Sequence, residues 1–220
     1  MRFLIMKHII SAALLLTATF SSTSALASNQ LEWNNLMQTA VNLQTDFDYE
    51  SNVDSYMKLY RSAVWKKYKN DEFELEDKRQ ETITMMKNKF SKFDMSEEYV
   101  INTNFSTDKY DFKKQSFPIN GVSESSYYQA NNYSAGTFPR TFRVMFSNAN
   151  MIGDLDMPKA EAKNFIKARK DRYGSIDRKV PVKLTFKIKS LDSDGFTLKA
   201  ELTNVTLYAN KKRSKVLAEF

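Results

Sequence analysis

The sequence predicts an α+β fold, in which N-terminal helices pack on a C-terminal antiparallel β-sheet with one helix inserted among its strands. Two periodicities indicate this arrangement. Between residues 31 and 93, apolar side chains recur every three or four positions, as on the buried face of a helix. Between residues 180 and 207 they alternate with polar side chains, as in a strand with one buried face. Helices followed by strands, without regular alternation, are typical of the α+β class.

Three helical segments are predicted in the first part of the chain. The first covers residues 31–43 and ends before the polar run at residues 46–49. The second contains a helical apolar stripe from Val53 to Val64. The third runs from residue 72 to about residue 93, with acidic side chains early and lysines late, which complements the helix dipole.

Shorter strands and one helix are predicted in the middle of the chain. Alternating or β-branched residues indicate strands at 99–101, 110–112 and 141–146. Residues 120–138 are rich in Ser, Asn, Gly and Tyr, and we expect a long surface loop there. Two aspartates precede the inserted helix, which is predicted over residues 158–170 with Pro158 at its start.

The last third of the chain has the clearest strand pattern. Apolar residues alternate over 180–188, a turn follows at 192–195, and a second alternation extends over 196–207. The parity of this second alternation slips at Asn204, which predicts a β-bulge. A terminal strand is expected at residues 216–220.

The beginning of the chain has the three parts of a secretory signal peptide. Positive charges precede an apolar stretch at residues 9–16, and Ala25 and Ala27 provide the small side chains that a signal peptidase recognises. The apolar stretch is shorter than the roughly 20 residues that a membrane span requires. We therefore expect residues 1–27 to be a cleaved signal peptide and the mature chain to have no transmembrane segment.

The mature chain, residues 28–220, is predicted to be a single α+β domain. Cleavage implies export, with the periplasm as the expected location and secretion as an alternative. The chain has no cysteine, so it has neither the acylated residue of a lipoprotein nor disulfides. A protein of this length can still bury a substantial core.

The mature chain also has no histidine, because His8 lies in the predicted signal peptide. Histidine and cysteine are the usual ligands of zinc, haem and iron–sulfur clusters, and histidine is the usual base of hydrolytic triads. We therefore expect no cofactor and no metal, and the sequence identifies no catalytic residue.

One acidic segment partly follows the frame of a calcium-binding loop. Carboxylates occupy positions 1, 3, 5 and 9 of that frame: Asp46, Asp48, Glu50 and Asp54. The frame requires Gly at position 6 and a bidentate Glu at position 12, where this chain has Ser51 and Met57. The favoured interpretation is that Asp46 and Asp48 end one helix and cap the next.

Two S-x-x-K sequences resemble the nucleophile motif of penicillin-recognising enzymes, at Ser55–Lys58 and Ser106–Lys109. The Lys-Thr/Ser-Gly motif of those enzymes is absent from the sequence, and we reject this activity. The chain has several carboxylates at residues 72–81, which allow an alternative function: a carboxylate-dependent hydrolase that acts on an envelope glycan. Nothing in the sequence selects a catalytic pair among them.

The charge is unevenly distributed. Residues 28–95 hold 10 basic and 12 acidic side chains, whereas residues 158–220 hold 16 basic and 7 acidic ones. Period-two alternation places a set of lysines on the solvent face of the final strands: Lys183, Lys187, Lys189 and Lys199. The favoured interpretation is a solvated face that keeps the sheet from aggregating. The binding hypothesis is that this face contacts an acidic envelope component, which is a protein, an anionic lipid or a polysaccharide.

Nucleic acid is not an expected partner of the basic face. Proteins that bind single strands set aromatic side chains among the basic ones as stacking platforms. Here the aromatic side chains of the final strands alternate away from the lysines.

Three short motifs, at Asn70–Glu74, Tyr110–Phe112 and Phe117–Pro118, resemble an uncharacterised family of exported bacterial proteins, one of the families known as domains of unknown function. The resemblance covers roughly residues 50–190. It implies a bacterial, exported, single-domain protein and assigns no activity, cofactor or site residue. The sequence thus predicts an exported, non-enzymatic binding or accessory protein, with the glycan hydrolase as the alternative.

Overall fold

The computed structural model describes residues 29–220 of the chain. The predicted signal peptide at residues 1–27 lies outside the described residues. Most of the predicted helical and strand segments are present, and they confirm the α+β class.

Helices occupy the first part of the described chain: α1 (Trp33–Leu43), α2 (Tyr49–Tyr60), α3 (Ser62–Tyr68) and α4 (Glu72–Ser91). The carboxylate of Asp48 accepts a hydrogen bond from the Ser51 N–H at 3.0 Å and caps α2. Asp71 caps α4 in the same way, through the Glu74 N–H at 3.1 Å. The predicted second helix is broken into α2 and α3 at Arg61, whose φ of −132° is not helical.

Strands and one further helix follow. The strands are β1 (Asn29–Gln30), β2 (Tyr99–Thr107), β3 (Ser116–Phe117), β4 (Ile119–Asn120), β5 (Tyr127–Asn131), β6 (Thr141–Phe146), β7 (Leu155–Asp156), β8 (Lys179–Leu191), β9 (Thr197–Tyr208) and β10 (Val216–Glu219). Helix α5 (Lys159–Ala168) is the inserted helix, two residues shorter at its C-terminal end than predicted.

Within residues 29–220, eight strands form one sheet, whose main order is β1-β2-β8-β9-β6-β5. Strand β9 pairs with β8 along one edge and shares its other edge between β6 and β10. The sheet is mixed, because β1 runs parallel to β2 and β6 runs parallel to β9. The other pairings in the sheet are antiparallel, as predicted for the hairpin of β8 and β9.

The core lies between the helices and the inner face of the sheet. Phe186 at the centre of β8 is fully buried, and its ring lies 5.6 Å from Tyr99 and 5.1 Å from Phe146. Leu36 and Met57 bring α1 and α2 into the same cluster. Helices α1, α2 and α4 therefore share one hydrophobic core with the sheet, while a smaller cluster around Phe117 includes Ala162 of α5.

The predicted bulge in β9 is present one residue from its expected position. Thr185 pairs with Asn204 and Phe186 pairs with Leu202, so Thr203 is the extra residue. A second register shift, which the alternation did not indicate, lies between Ile188 and Ser190 of β8.

Two middle segments differ from the prediction. Residues 110–112 form no strand, and only Asp111 makes an isolated bridge, to Ser116. The segment 120–138 is not a simple surface loop, because it contains strand β5 and buries Phe138, which is 3% exposed. The abundance of Ser and Asn in this segment gives no indication of its two buried residues, Ala135 and Phe138.

Candidate functional site

The four predicted lysines lie on the outer face of the sheet or its rim, but they differ in their surroundings. Lys183 and Lys187 project from the face of β8 opposite to the buried Leu184 and Phe186. Both are half-buried. Neither forms an ion pair with any carboxylate in the described part of the chain.

The other two lysines are already paired with acidic side chains. The ammonium group of Lys189 lies 3.1 Å from a carboxylate oxygen of Glu201, and that of Lys199 lies 3.4 Å from Asp192. The structure therefore does not bring all four predicted lysines into one uncompensated patch.

The strongest positive charge lies at one end of the sheet, where β8 begins and β9 ends. Residues 167–179 hold six basic and two acidic side chains, and residues 209–215 hold four basic and no acidic ones, which gives a formal charge of +8. We call these two segments the basic end. None of its ten basic side chains lies within 4.0 Å of a carboxylate oxygen among residues 29–220.

Arg169, directly after α5, joins the two segments of the basic end. Its Nη1 donates to the Lys179 carbonyl at 2.7 Å, and its Nη2 donates to the Ala209 carbonyl at 2.9 Å. Burial lowers the pKa of Arg169, and the negative charge of Asp177 opposes that shift. Because arginine stays protonated in proteins, the neutral carbonyls hold its charge in place without cancelling it.

Arg178 is fixed in the same manner on the other side of β8. Its Nη1 donates to the Asp108 carbonyl at 2.6 Å, and its own carbonyl accepts from the Thr107 N–H at 2.9 Å. Two guanidinium groups of the basic end are thus anchored by main-chain oxygens rather than by carboxylates.

A cleft of about 520 Å³ opens between these segments. Four basic and two acidic side chains line it: Arg169, Lys170, Lys179, Lys211, Asp171 and Asp177. One carboxylate oxygen of Asp171 accepts from the N–H groups of Tyr173 and Ser175, both at 2.8 Å. The Asp177 carboxylate accepts from the Lys179 N–H at 3.0 Å. These carboxylates organise the loop before β8, and the lysine ammonium groups remain free to bind a ligand.

Sequence reasoning missed most of the basic end. Period-two alternation does place Lys179 on the same face as Lys183, so this residue could have been included. The basic residues at 211–215 lie outside the alternating strand pattern, so strand parity assigns them to no face of the sheet. Their proximity to Arg169 depends on the pairing of β9 with β8 and β10, which the sequence does not specify.

A second cleft, of about 430 Å³, lies along α5 and differs in chemistry. Phe112, Phe117 and Ile166 make its lining largely apolar, with Lys159 and Lys163 also at its wall. Phe112 is 70% exposed. The basic cleft and this apolar cleft are thus separate surfaces.

The acidic segment before α2 uses its carboxylates in the fold. Asp48 caps α2, as the favoured interpretation predicts. Asp54 forms a bidentate pair with Arg79, with both N–O distances at 2.8 Å. Among residues 29–220, no three His, Cys, Asp or Glu side chains cluster in a way that could hold a metal ion.

Ser55 of the first S-x-x-K sequence has a structural contact. Its hydroxyl accepts a hydrogen bond from the Thr137 N–H at 2.9 Å, and its residue is 5% exposed. Lys58 lies over the ring of Trp65, 4.5 Å from the centroid. These contacts engage both residues outside any catalytic arrangement.

The described carboxyl groups with clearly displaced pKa values are all displaced downwards: Asp48, Asp54, Glu81, Asp94, Asp111 and Asp194. Hydrogen bonds from Lys78 and Arg61 hold the pKa of Glu81 below its usual range. A glycan hydrolase of the acid–base type needs one carboxyl with a raised pKa as its proton donor. None of these six carboxyl groups has that feature.

No helix within the described residues is long and apolar enough to cross a membrane. The structure thus defines an α+β protein with a curled mixed sheet, helices on its inner face, and a cluster of uncompensated basic side chains at one end.

The chain belongs to the family described as a domain of unknown function (DUF4852), which matches residues 48–168. The match confirms the resemblance to an uncharacterised family. It runs from the start of α2 to the end of α5, and most of the basic end lies beyond it. No curated protein and no solved structure matches the chain.

Proposed function

We propose that this chain is an exported, non-enzymatic binding or accessory protein that binds an anionic component of the bacterial envelope through its basic end. The observation that carries the proposal is the set of ten basic side chains without an ion pair in the described chain. Lys183, from the predicted set, continues this surface along β8. The proposed periplasmic location depends on the predicted signal peptide.

Neighbouring like charges at the basic end act together on a partner. Charges closer than a Debye length, about 8 Å at physiological ionic strength, are only weakly screened from one another. Such a cluster destabilises the free protein slightly by self-repulsion and attracts an oppositely charged surface. Anchoring of Arg169 and Arg178 on carbonyl oxygens reduces the entropy that two of these charges would lose on binding.

The alternative, a carboxylate-dependent glycan hydrolase, has no supporting observation among the described residues. Two of the five acids of α4 form ion pairs: Glu81 with Arg61 at 2.6 Å, and Glu76 with Arg79 at 3.5 Å.

The test compares two variants of the mature protein with matched charge changes. One replaces Lys170, Lys179, Lys211 and Lys212 of the basic end with Gln. The other, the sheet-face variant, replaces with Gln the four lysines predicted from the sequence: Lys183, Lys187, Lys189 and Lys199. Each variant and the wild type are immobilised and incubated with an envelope extract, and bound material is recovered over a salt gradient.

We expect the basic-end variant to lose its specifically recovered material and the sheet-face variant to retain most of it. Wild-type binding should weaken as salt rises. Equal recovery by the wild type and both variants at every salt concentration would contradict the proposal. It would indicate that both surfaces only solvate the protein.

A further inference from the structure

The cleft at Arg169 has the charge and donor groups of a site for one multiply charged anion. Its lining carries four positive and two negative side chains, a net charge of +2. Its volume, about 520 Å³, lies within the usual range of small-ligand pockets.

From this geometry we propose that the cleft binds a phosphate monoester group of the anionic ligand. This inference rests on the proposed binding function and specifies its ligand chemistry. A phosphate monoester carries about −1.5 to −2 charges at pH 7 and offers three strong acceptor oxygens. A carboxylate offers one charge and two oxygens, and so matches a net charge of +2 less well.

The positions of the cationic groups support this assignment. Arg169 is held at the joint between the two segments, by carbonyls of Lys179 and Ala209. The lysines of the lining are exposed, and within residues 29–220 their ammonium groups donate no hydrogen bond to another side chain or carbonyl. Lys170 and Lys211 come from two different segments, the loop that follows α5 and the β9–β10 turn. Each ammonium brings three donors, and charge-assisted hydrogen bonds to phosphate oxygens are among the stronger ones.

Asp171 and Asp177 do not disable the site. Their carboxylate oxygens accept main-chain N–H groups of the loop before β8, which holds that loop in place. They also reduce the net charge of the lining from +4 to +2, which disfavours ligands that carry many more charges than one phosphate.

Two sources can present this chemistry, namely a phosphorylated sugar or a lipid headgroup. Isothermal titration with inorganic phosphate, glucose 6-phosphate and unphosphorylated glucose measures the soluble form, at constant ionic strength. Sedimentation with phosphatidylcholine vesicles, with and without phosphatidic acid, measures the lipid form. Binding of glucose 6-phosphate, without binding of glucose, indicates a sugar source, and preference for phosphatidic acid vesicles indicates a lipid source.

A matched pair of double variants localises the site. The variant Lys170→Gln/Lys211→Gln removes two charges from the cleft lining. The variant Lys167→Gln/Lys212→Gln removes two charges from the same end outside the lining. All four positions are exposed, so both variants should keep the wild-type melting temperature.

We expect the lining variant to bind inorganic phosphate about tenfold more weakly than the wild type, because it loses two partly exposed charge contacts with the phosphate. The control variant should weaken phosphate binding less than the lining variant does, because its two lysines do not line the cleft and would donate no hydrogen bond to the ligand. Equal weakening in the two variants, or no phosphate binding by the wild type, would overturn the cleft assignment. Suppose that the titration contradicts the cleft assignment, but the recovery of envelope material still depends on the basic end. Then only the cleft assignment fails. If the recovery does not depend on the basic end either, the proposed binding function fails as well.

Discussion

The hydroxyl of Ser55 on α2 accepts a hydrogen bond from the backbone N–H of Thr137, 2.9 Å away and far along the chain. The Thr137 hydroxyl also donates to it, at 3.0 Å. This contact fixes the connection between β5 and β6 onto the helices. The ring of Phe138, which follows, packs edge-on against Trp33 at 6.2 Å in the core.

Gly136 permits this close approach. Its φ is +68°, a left-handed conformation, and a Cβ at this position would collide with the Ser55 hydroxyl and lie 2.7 Å from its Cβ. Gly136→Ala should therefore lower the free energy of unfolding by about 2–4 kcal/mol, from backbone strain and overpacking together. Urea unfolding measures this change.

Gly195→Ala is the matched control for backbone strain alone. Gly195 has a similar φ of +76°, but a Cβ there would meet nothing within 4 Å. We expect a loss of about 1–2 kcal/mol. If the two substitutions have equal effects, the packing of residue 136 on Ser55 is not significant for stability.

The alternation in β8 predicts very different effects for two adjacent substitutions. Phe186 is fully buried between Tyr99 and Phe146, so Phe186→Ala should cost about 3–5 kcal/mol of stability. Lys187→Ala should cost less than about 0.5 kcal/mol, because its side chain lies on the outer face without an ion pair among the described residues. Similar losses in urea unfolding would contradict the assignment of the two faces.

The Asp54–Arg79 pair predicts a defined pH dependence. The hydrogen bonds from Arg79 hold the pKa of Asp54 below its usual value of 3.8. A lowered folded-state pKa stabilises the protein above the unfolded pKa, and this contribution is lost as the pH falls through the folded value. Both side chains are about one-third exposed, so solvent screening limits the contribution to roughly 0.5–1 kcal/mol.

Arg79→Gln should therefore be less stable than the wild type by this amount at neutral pH. The difference should shrink below about pH 4, as Asp54 becomes protonated in the wild type. Unfolding in urea at a series of pH values measures it. A difference that stays constant down to pH 2 would show that Arg79 stabilises α2 and α4 by packing instead.

Export predicts a new N-terminus at Ser28. The small side chains of Ala25 and Ala27 match the recognition pattern of signal peptidase. Intact-mass measurement of protein from the periplasmic fraction should give the mass of residues 28–220. Accumulation of a full-length species that retains Met1 would argue against cleavage and against the proposed location.

Much of the fold could be predicted because local periodicity determines it. The apolar alternation of β8 and β9 even locates the bulge near Asn204, since an extra residue inverts side-chain parity. The middle of the chain could not be predicted in the same way. Phe138 is buried by its contacts with Trp33 and Phe47, which are distant in sequence, while its neighbours have the composition of a loop.

The candidate site could be predicted from local periodicity even less completely than the middle of the chain. Strand parity places Lys183 and Lys187 correctly on the outer face. It does not reveal that Glu201 and Asp192 neutralise the other two predicted lysines, because both pairs depend on side-chain reach across the sheet. Nor does it show that Arg169 joins two basic segments, because that contact depends on tertiary packing.

Hydrogen exchange of the protein that begins at Ser28, with and without an anionic envelope fraction, tests the central claim most directly. The account predicts slower exchange in residues 167–179 and 209–215 on binding, and unchanged exchange in helices α1–α4. These two segments carry the formal charge of +8 and enclose the cleft. Slower exchange confined to the helices, or to the sheet away from these segments, would contradict the assignment of the basic end as the binding surface.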